Sequence, residues 1–296
     1  MPGARHTQVA LATLGVLIIA LTAYYLIPET PEPEPEPEPE PVVEEPTWPR
    51  VATIGSSVEG RPIEAYTFGE ADTHLLLVGG IHGGYEWNST LLAWEMIDHF
   101  SSEPRARPEG VAITIVPNLN PDGLFAGTGL EGRFSIGETP ASRAETIPGR
   151  FNANGVDLNR NFACKWEPQS SWRGEVVSAG TEPFSEPEAA ALRDLVASTT
   201  PDAVVFWHSK ANNVYASECH DGPLPRTLAI MNAYADAADY GAVPVFDAYP
   251  ITGDAEGWLA SIGIPAITVE LETHDSIEWE RNLAGVEALL TEAGRW

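Results

Sequence analysis

Apolar residues along this chain fall into short unbroken runs rather than long amphipathic stripes. Residues 75–78, 112–116, 203–207 and 266–271 are rich in Val, Ile and Leu and lack polar alternation. Runs of that length and composition predict strands covered on both faces. Between them, the spacing of apolar positions predicts helices over residues 87–100, 186–197, 224–240 and 277–290. Ser185, with Glu188 three residues on, predicts a capping box at the start of the second of these. Strands alternating with helices predict an α/β fold. The expected form is a single-domain three-layer sandwich with a mixed, largely parallel twisted sheet flanked by helices.

In such sheets ligands bind beyond the carboxyl ends of the strands. Gly79-Gly80-Ile81-His82 follows the first run, and Asn118-Leu119-Asn120-Pro121-Asp122-Gly123 follows the second. His208 follows the third directly, and Glu270 lies near the end of the fourth. Chemically capable residues are therefore expected along one edge of the sheet.

The N-terminal region reads differently. Residues 9–27 are apolar except for Thr13 and Thr22 and carry no charge; as a helix they would span about 28 Å at ~1.5 Å per residue, close to the hydrocarbon thickness of a bilayer. Arg5 precedes this run and acids follow it, which orients the chain with its N-terminus inside and the rest outside. Residues 1–28 are thus expected to be a membrane anchor, with a cleaved signal peptide as the competing reading. Residues 29–49 carry a Pro-Glu repeat, which blocks helix and sheet and predicts an extended linker. The folded domain is expected over residues 50–296.

Composition narrows the partners. The formal net charge is −27, and Lys165 and Lys210 are the only lysines. Such a surface repels phosphate backbones, so nucleic acid is not expected as a partner. Cys164 and Cys219 are too few for a disulfide scaffold. They fit either one bridge or two separate buried thiols, and export would favour the bridge.

The candidate chemistry centres on metal ligands. A catalytic zinc takes three protein ligands and keeps one position open. His82 and Glu86 stand four residues apart at the entry to a predicted helix, where both side chains can share a face. His208 is the candidate third ligand. His6, His74, His99, His220 and His274 have no comparable context. Arg150 and Arg160 flank a turn-rich segment containing Asp157 and Asn159, a pattern suited to binding a carboxylate. Glu270 lies in an apolar strand, where a carboxylate is costly unless it is paired, metal-linked or catalytic.

The segment Gly155-Val156-Asp157-Leu158-Asn159-Arg160-Asn161-Phe162 is the most specific piece of the chain. Together with Asn118-Leu119-Asn120-Pro121-Asp122-Gly123 and Gly79-Gly80-Ile81-His82-Gly83, it resembles the zinc carboxypeptidase family, the carboxypeptidase A-like metallopeptidases. The resemblance runs over about residues 55–290. It implies one zinc ion held by His82, Glu86 and His208, with Asp157 orienting His82. It implies that Glu270 activates the attacking water and that Arg150 polarises the scissile carbonyl and steadies the oxyanion. Asn159 and Arg160 would clamp the substrate's terminal carboxylate, and Tyr249 would close over it. Glu256 falls at the floor of the specificity pocket, with Asp254 the nearest alternative. An acid there would favour a basic end residue or the free amine of diaminopimelate.

The sequence departs from the family pattern at the first two ligands. Their usual spacing is His-x-x-Glu, whereas this chain has His82-x-x-x-Glu86, with Tyr85 where the family carries Arg. The expected function is a zinc metallocarboxypeptidase acting on peptide or protein C-termini outside the cytoplasm, as a monomer. The alternatives are a cell-wall muropeptide amidase with the same chemistry and an inactive binding protein of the same fold. A stalked adhesion domain without metal ranks last.

Overall fold

The structure is a computed structural model that describes residues 48–293. The anchor and most of the linker expected from the sequence lie outside the described residues. Among those described, no helix is long and apolar enough to cross a membrane.

The predicted strand runs become adjacent parallel strands. They are β3 (Thr73–Val78), β4 (Val111–Val116), β7 (Ala203–Ser209) and β10 (Ala266–Leu271). Antiparallel β1 (Arg50–Ser56) and β2 (Pro62–Phe68) extend one side of the sheet, and β8 (Asn213–Ala216) and β9 (Gly241–Val243) extend the other. The result is one eight-stranded mixed sheet in the order β1-β2-β4-β3-β7-β10-β8-β9. A separate hairpin pairs β5 (Gln169–Trp172) with β6 (Glu175–Ser178).

The alternation of side chains along a strand sorts the core into two layers. Leu75 and Leu77 face one side, with Ile113, Val205, Trp207 and Val269. They pack against α1 (Trp87–Ser102), α5 (Pro225–Ala238) and α7 (Trp279–Glu292), through Leu92, Met96, Ile230, Tyr234 and Leu289. Leu76 and Val78 face the other side, with Val204 and Phe206, and meet Leu192, Val196 and Leu259. Those partners belong to α4 (Pro187–Thr199) and α6 (Ala255–Ser261). Two shorter helices, α2 (Pro121–Thr128) and α3 (Arg143–Thr146), lie in the connection between β4 and the hairpin.

One local expectation is corrected. The helix at 187 is not opened by a capping box on Ser185. It starts at Pro187, and Glu186 is its N-cap without a side-chain cap bond. Proline suits the first helical position because its missing N–H would have no partner there. The Ser185 hydroxyl is already committed: it donates to Glu186 and accepts from the Asn161 amide at 3.0 Å. Asn161 also accepts from the Glu186 N–H and donates to the Ala179 carbonyl, which ties the segment after Arg160 to the start of α4.

Cys164 and Cys219 form a disulfide with Cα atoms 5.9 Å apart. The bridge ties the segment after Arg160 to the loop after β8. Next to it, Gly253 N–H donates to the Cys164 carbonyl and Phe162 N–H to the Gly253 carbonyl. The sequence separation of 55 residues implies about 4 kcal/mol from restricting the unfolded chain. Replacing both cysteines by alanine should therefore lower stability by roughly 2–4 kcal/mol. Urea unfolding of residues 48–296 checks this, and an unchanged midpoint would show that the local hydrogen bonds alone hold the segment.

Candidate metal centre

Local chain geometry brings the ligands together. After β3 the backbone turns through Gly79 and Gly80, and residues Gly83–Glu86 form a single 3-10 turn. Glu86 is then the N-cap of α1. The additional residue between His82 and Glu86 is taken up in this turn, so both side chains still point to one place. The turn packs backbone to backbone on α2 and on the turn at 147–150. A Cβ at Gly83 would sit 2.6 Å from Gly123 and 2.7 Å from the Gly149 carbonyl oxygen. Only glycine allows that approach, and Gly83 also has φ +42°.

His208 arrives at the end of β7, and its register partner on β10 is Glu270. Three ligand atoms converge. His82 Nδ1 lies 3.0 Å from one Glu86 oxygen, and His208 Nδ1 lies 3.0 Å from the other. The two Nδ1 atoms are 3.2 Å apart. Ligands about 2.0–2.1 Å from a tetrahedral ion sit roughly 3.3 Å from one another, so this donor set fits one zinc. With Nδ1 given to a metal, each neutral imidazole carries its proton on Nε2. His82 Nε2 lies 3.4 Å from Asp157 Oδ1, and His208 Nε2 lies 3.2 Å from Glu256 Oε1. A carboxylate thus lies behind each imidazole without a formed hydrogen bond, close enough that it could orient the ring of a metal-bound histidine.

A profile described as zinc carboxypeptidase matches residues 42–278. The chain belongs to the zinc carboxypeptidase family. Its fold is similar to that of the murein-tripeptide amidase of Escherichia coli O157, with a TM-score of 0.60 and 25% identity, covering 84% of this chain and 92% of that one. Gamma-D-glutamyl-L-diamino acid endopeptidase 1 of Lysinibacillus sphaericus is 24% identical, over 74% of this chain and 59% of that protein. Carboxypeptidase B of Astacus astacus is 28% identical, over 54% of each. The chain spans about half the length of the curated relatives it matches. Zinc is the metal of this family, and His82, Glu86 and His208 form the place where this chain can hold one ion.

The remaining candidates divide into residues that contact the ligands or their neighbours and Tyr249, which has no contact with His82, Glu86 or His208 among the described residues. Asp157 is fully buried and accepts from Arg150 Nε and Nη2 at 3.0 and 2.8 Å. Burial works to raise its pKa, but the charges of Arg150 and His82 prevail and hold it well below the usual carboxylate range. Arg150 also reaches to 3.8 Å from Glu86 and stacks on Trp172 of the hairpin, with its guanidinium 4.7 Å from the ring. Asn159 is buried, and its side-chain oxygen accepts from Ala255 N–H. Arg160 is 6% exposed and donates to the Asn159 carbonyl and Ser170 hydroxyl. It pairs with no carboxylate among the described residues.

Glu256 stands directly behind His208 and accepts from Thr268 Oγ1. Burial raises its pKa and the His208 contact lowers it, with a net lowering. Neighbouring Asp254 caps α6 by accepting from Gly257 N–H. Burial and the Glu256 charge push Asp254 up to about 6. Tyr249 lies at the surface, 54% exposed, with its ring 4.8 Å from that of Phe246.

The structure adds residues that the sequence did not signal. His274, set aside for lack of context, bonds Ser209 Oγ through Nδ1 at 2.7 Å and faces the Tyr85 ring at 5.1 Å. Burial and the Arg143 charge push its pKa down to about 4. Ser209 N–H donates to Glu86, so the residue after His208 helps hold the carboxylate ligand. Trp172 reaches the site from the tip of a hairpin whose strands are too short and too polar to show an apolar pattern.

Glu270 is partly buried, and its Oε2 is enclosed without a partner. Burial, reinforced by the charge of Glu86, pushes its pKa up from 4.5 to about 7. The consequence for metal-free protein has a definite sign. An acid with a raised folded pKa holds its proton more tightly when folded, so stability is lost as pH climbs from about 4.5 to about 7. Glu270→Gln removes that loss. In EDTA the variant should match the parent near pH 4 and be the more stable protein at pH 8, by thermal unfolding. A difference that does not change with pH would contradict the raised pKa.

Proposed function

We propose that this chain is a zinc-dependent metallocarboxypeptidase that hydrolyses the C-terminal peptide bond of peptides or proteins. The observation that carries the reading is Arg160. A buried guanidinium without a carboxylate partner, in a chain of net charge −27, is a built anion site. Asp157, three residues before it, touches a zinc ligand. A free chain end bound by Arg160 and Asn159 would place the terminal peptide bond toward His82, Glu86 and His208.

Zinc bound there supplies Lewis acidity toward the attacking water and the scissile carbonyl. Glu270 then has a defined task. Its unpartnered Oε2 is free to take a proton from the attacking water, and a pKa near 7 suits a group that must later give that proton to the leaving amine. Arg150 presents charge beside Glu86 while Asp157 fixes its fork, so it is preorganised to steady developing negative charge on the carbonyl oxygen. Asp157 orients His82 and Arg150 together. Glu256 is proposed to do the same for His208 while contributing its charge to the pocket that takes the end residue. Tyr249 is proposed to cover the bound end.

A second reading is favoured by the acid pair Asp254 and Glu256. Two carboxylates near the expected pocket would suit an end residue carrying a cation, either lysine or the free amine of diaminopimelate. The latter would make the enzyme a cell-wall muropeptide amidase with the same chemistry, in line with the names of two of its relatives. We place the activity outside the cytoplasm. The apolar run at residues 9–27 and the Cys164–Cys219 disulfide support this.

The test uses zinc-loaded protein and peptides ending in Lys, Phe, Glu or diaminopimelate, each with a free or an amidated C-terminus, read by mass spectrometry. Single-residue loss from free ends is expected, with the Lys or diaminopimelate peptide cut fastest. Glu270→Gln should lower kcat by about 10²–10⁴-fold. Arg160→Ala should raise KM for free ends. Equal cleavage of amidated ends would sink the carboxypeptidase reading, and cleavage of diaminopimelate peptides alone would move the amidase reading to first place.

A further inference from the structure

The 3-10 turn that carries Glu86 has no side-chain cap bond of its own. Beyond the bonds within the turn itself, Tyr85 N–H donates to the His82 carbonyl at 3.1 Å and Ser89 Oγ to the Glu86 carbonyl at 2.7 Å. A single 3-10 turn, with its poorer hydrogen-bond geometry, is not stiff by itself. The rigidity needed to hold a carboxylate between two imidazoles must come from outside it.

Arg143 supplies such a contact, from 58 residues away in sequence. Its Nη1 donates to the Tyr85 carbonyl at 2.6 Å, and its guanidinium lies 4.3 Å above the Tyr85 ring. One side chain thus grips both the peptide group and the ring of the residue immediately before Glu86. Arg143 behaves unlike the surface arginines here. Arg61 and Arg133 each pair with carboxylates, whereas Arg143 pairs with none among the described residues, and its enclosed Nη2 has no partner at all. In a chain with 43 acidic residues, an arginine committed to a carbonyl and a ring marks a specific geometric demand.

The placement of Arg143 extends the point. Helix α3 runs directly into the 3-10 turn Ile147–Arg150, so Arg143 and Arg150 are carried on one short continuous rod. Arg150 touches Glu86 itself, at 3.8 Å, while Arg143 holds Tyr85. Gly149 of the same rod lies against Gly84, where a Cβ would come within 2.9 Å of the Gly84 Cα. The rod therefore meets the ligand turn at three consecutive residues, Gly84, Tyr85 and Glu86.

We propose that Arg143 is a positioning residue for the zinc ligand Glu86. It acts through the Tyr85 peptide and ring, and fixes where the longer His82–Glu86 turn delivers its carboxylate. Its contacts are to Tyr85 and not to His82, Glu86 or His208 themselves. The inference rests on the reading of His82, Glu86 and His208 as the zinc site.

The experiment measures zinc affinity by competition with a chromophoric chelator, and the visible absorption of the cobalt-substituted protein. Full-length parent, Arg143→Ala, Arg143→Lys, Arg133→Ala and His82→Ala are compared, with thermal unfolding of each metal-free protein alongside. Arg143→Ala should weaken zinc binding about 10- to 100-fold, the usual size for groups that orient a ligand, and should shift the cobalt bands. Arg143→Lys can still reach the carbonyl and should recover part of the affinity. Arg133→Ala, on the same connection but at the surface, should bind zinc as the parent does. The proposal is overturned if Arg143→Ala binds zinc within twofold of the parent with an unchanged cobalt spectrum. It is overturned equally if Arg133→Ala loses as much. If His82→Ala binds as tightly as the parent, the zinc site itself has been misplaced, and that result is distinguishable from a failure of Arg143 alone.

Discussion

The whole arrangement depends on keeping the Glu86 carboxylate, almost completely buried, within 3.0 Å of two imidazoles. An isolated buried carboxylate would give up its charge rather than bear the loss of hydration. Here burial works to raise the Glu86 pKa, yet His82 and His208 hold it well below the ordinary value. Without a metal, the site achieves this by pairing. Burial works to lower the His208 pKa, but the contacts with Glu256 and Glu86 raise it well above normal. A divalent cation placed among these donors would supply positive charge to the buried carboxylate. Metal affinity should therefore depend on pH, as expected where ligands must be deprotonated to bind.

The fold serves that constraint by drawing the donors from different elements. His82 and Glu86 come from the turn between β3 and α1, His208 from the end of β7, and Glu270 from its neighbour β10. Asp157 and Arg150 come from the long connection after β4. The parallel strands are buried on both faces and set the spacing between β3, β7 and β10, which the loops alone could not do. The backbone contacts of Gly83, Gly84, Gly123 and Gly149 then bring the connection against the ligand turn.

This division explains what the sequence revealed. The parallel strands were readable because they are uniformly apolar. β1 was not, because most of its residues are exposed, and β9 is too short to carry a pattern. The capping box at Ser185 failed because Asn161, distant in sequence, had already engaged the hydroxyl. The ligand candidates could be named from residue type and order along the chain. The sequence also allowed His82 and Glu86 to converge, on a shared helical face; the structure brings them together through a 3-10 turn instead, which leaves no apolar periodicity to read. Glu256 shows the limit most clearly. From sequence it is an acid near a pocket; in the structure it also backs His208, a relation carried by the register of α6 against β10 and by no local motif.

Charge gives the last connection between surface and site. The net charge of −27 would, over distances shorter than the screening length of about 8–10 Å, oppose the approach of any anionic chain end. Arg150 and Arg160 are held inside that field, each about nineteen-twentieths buried. Arg150 pairs directly with Asp157, while Arg160 forms no direct ion pair among the described residues and meets the charges of Asp157 and Asp254 only from farther away. A buried charge in low dielectric acts far more strongly at contact than a screened surface charge does at range. The acidic exterior would therefore draw a substrate through its cationic groups, and Arg160 would seize the carboxylate only on arrival. If the protein acts on chain ends as proposed, the two halves of recognition would work at different distances, and an acidic exterior would be no obstacle to it.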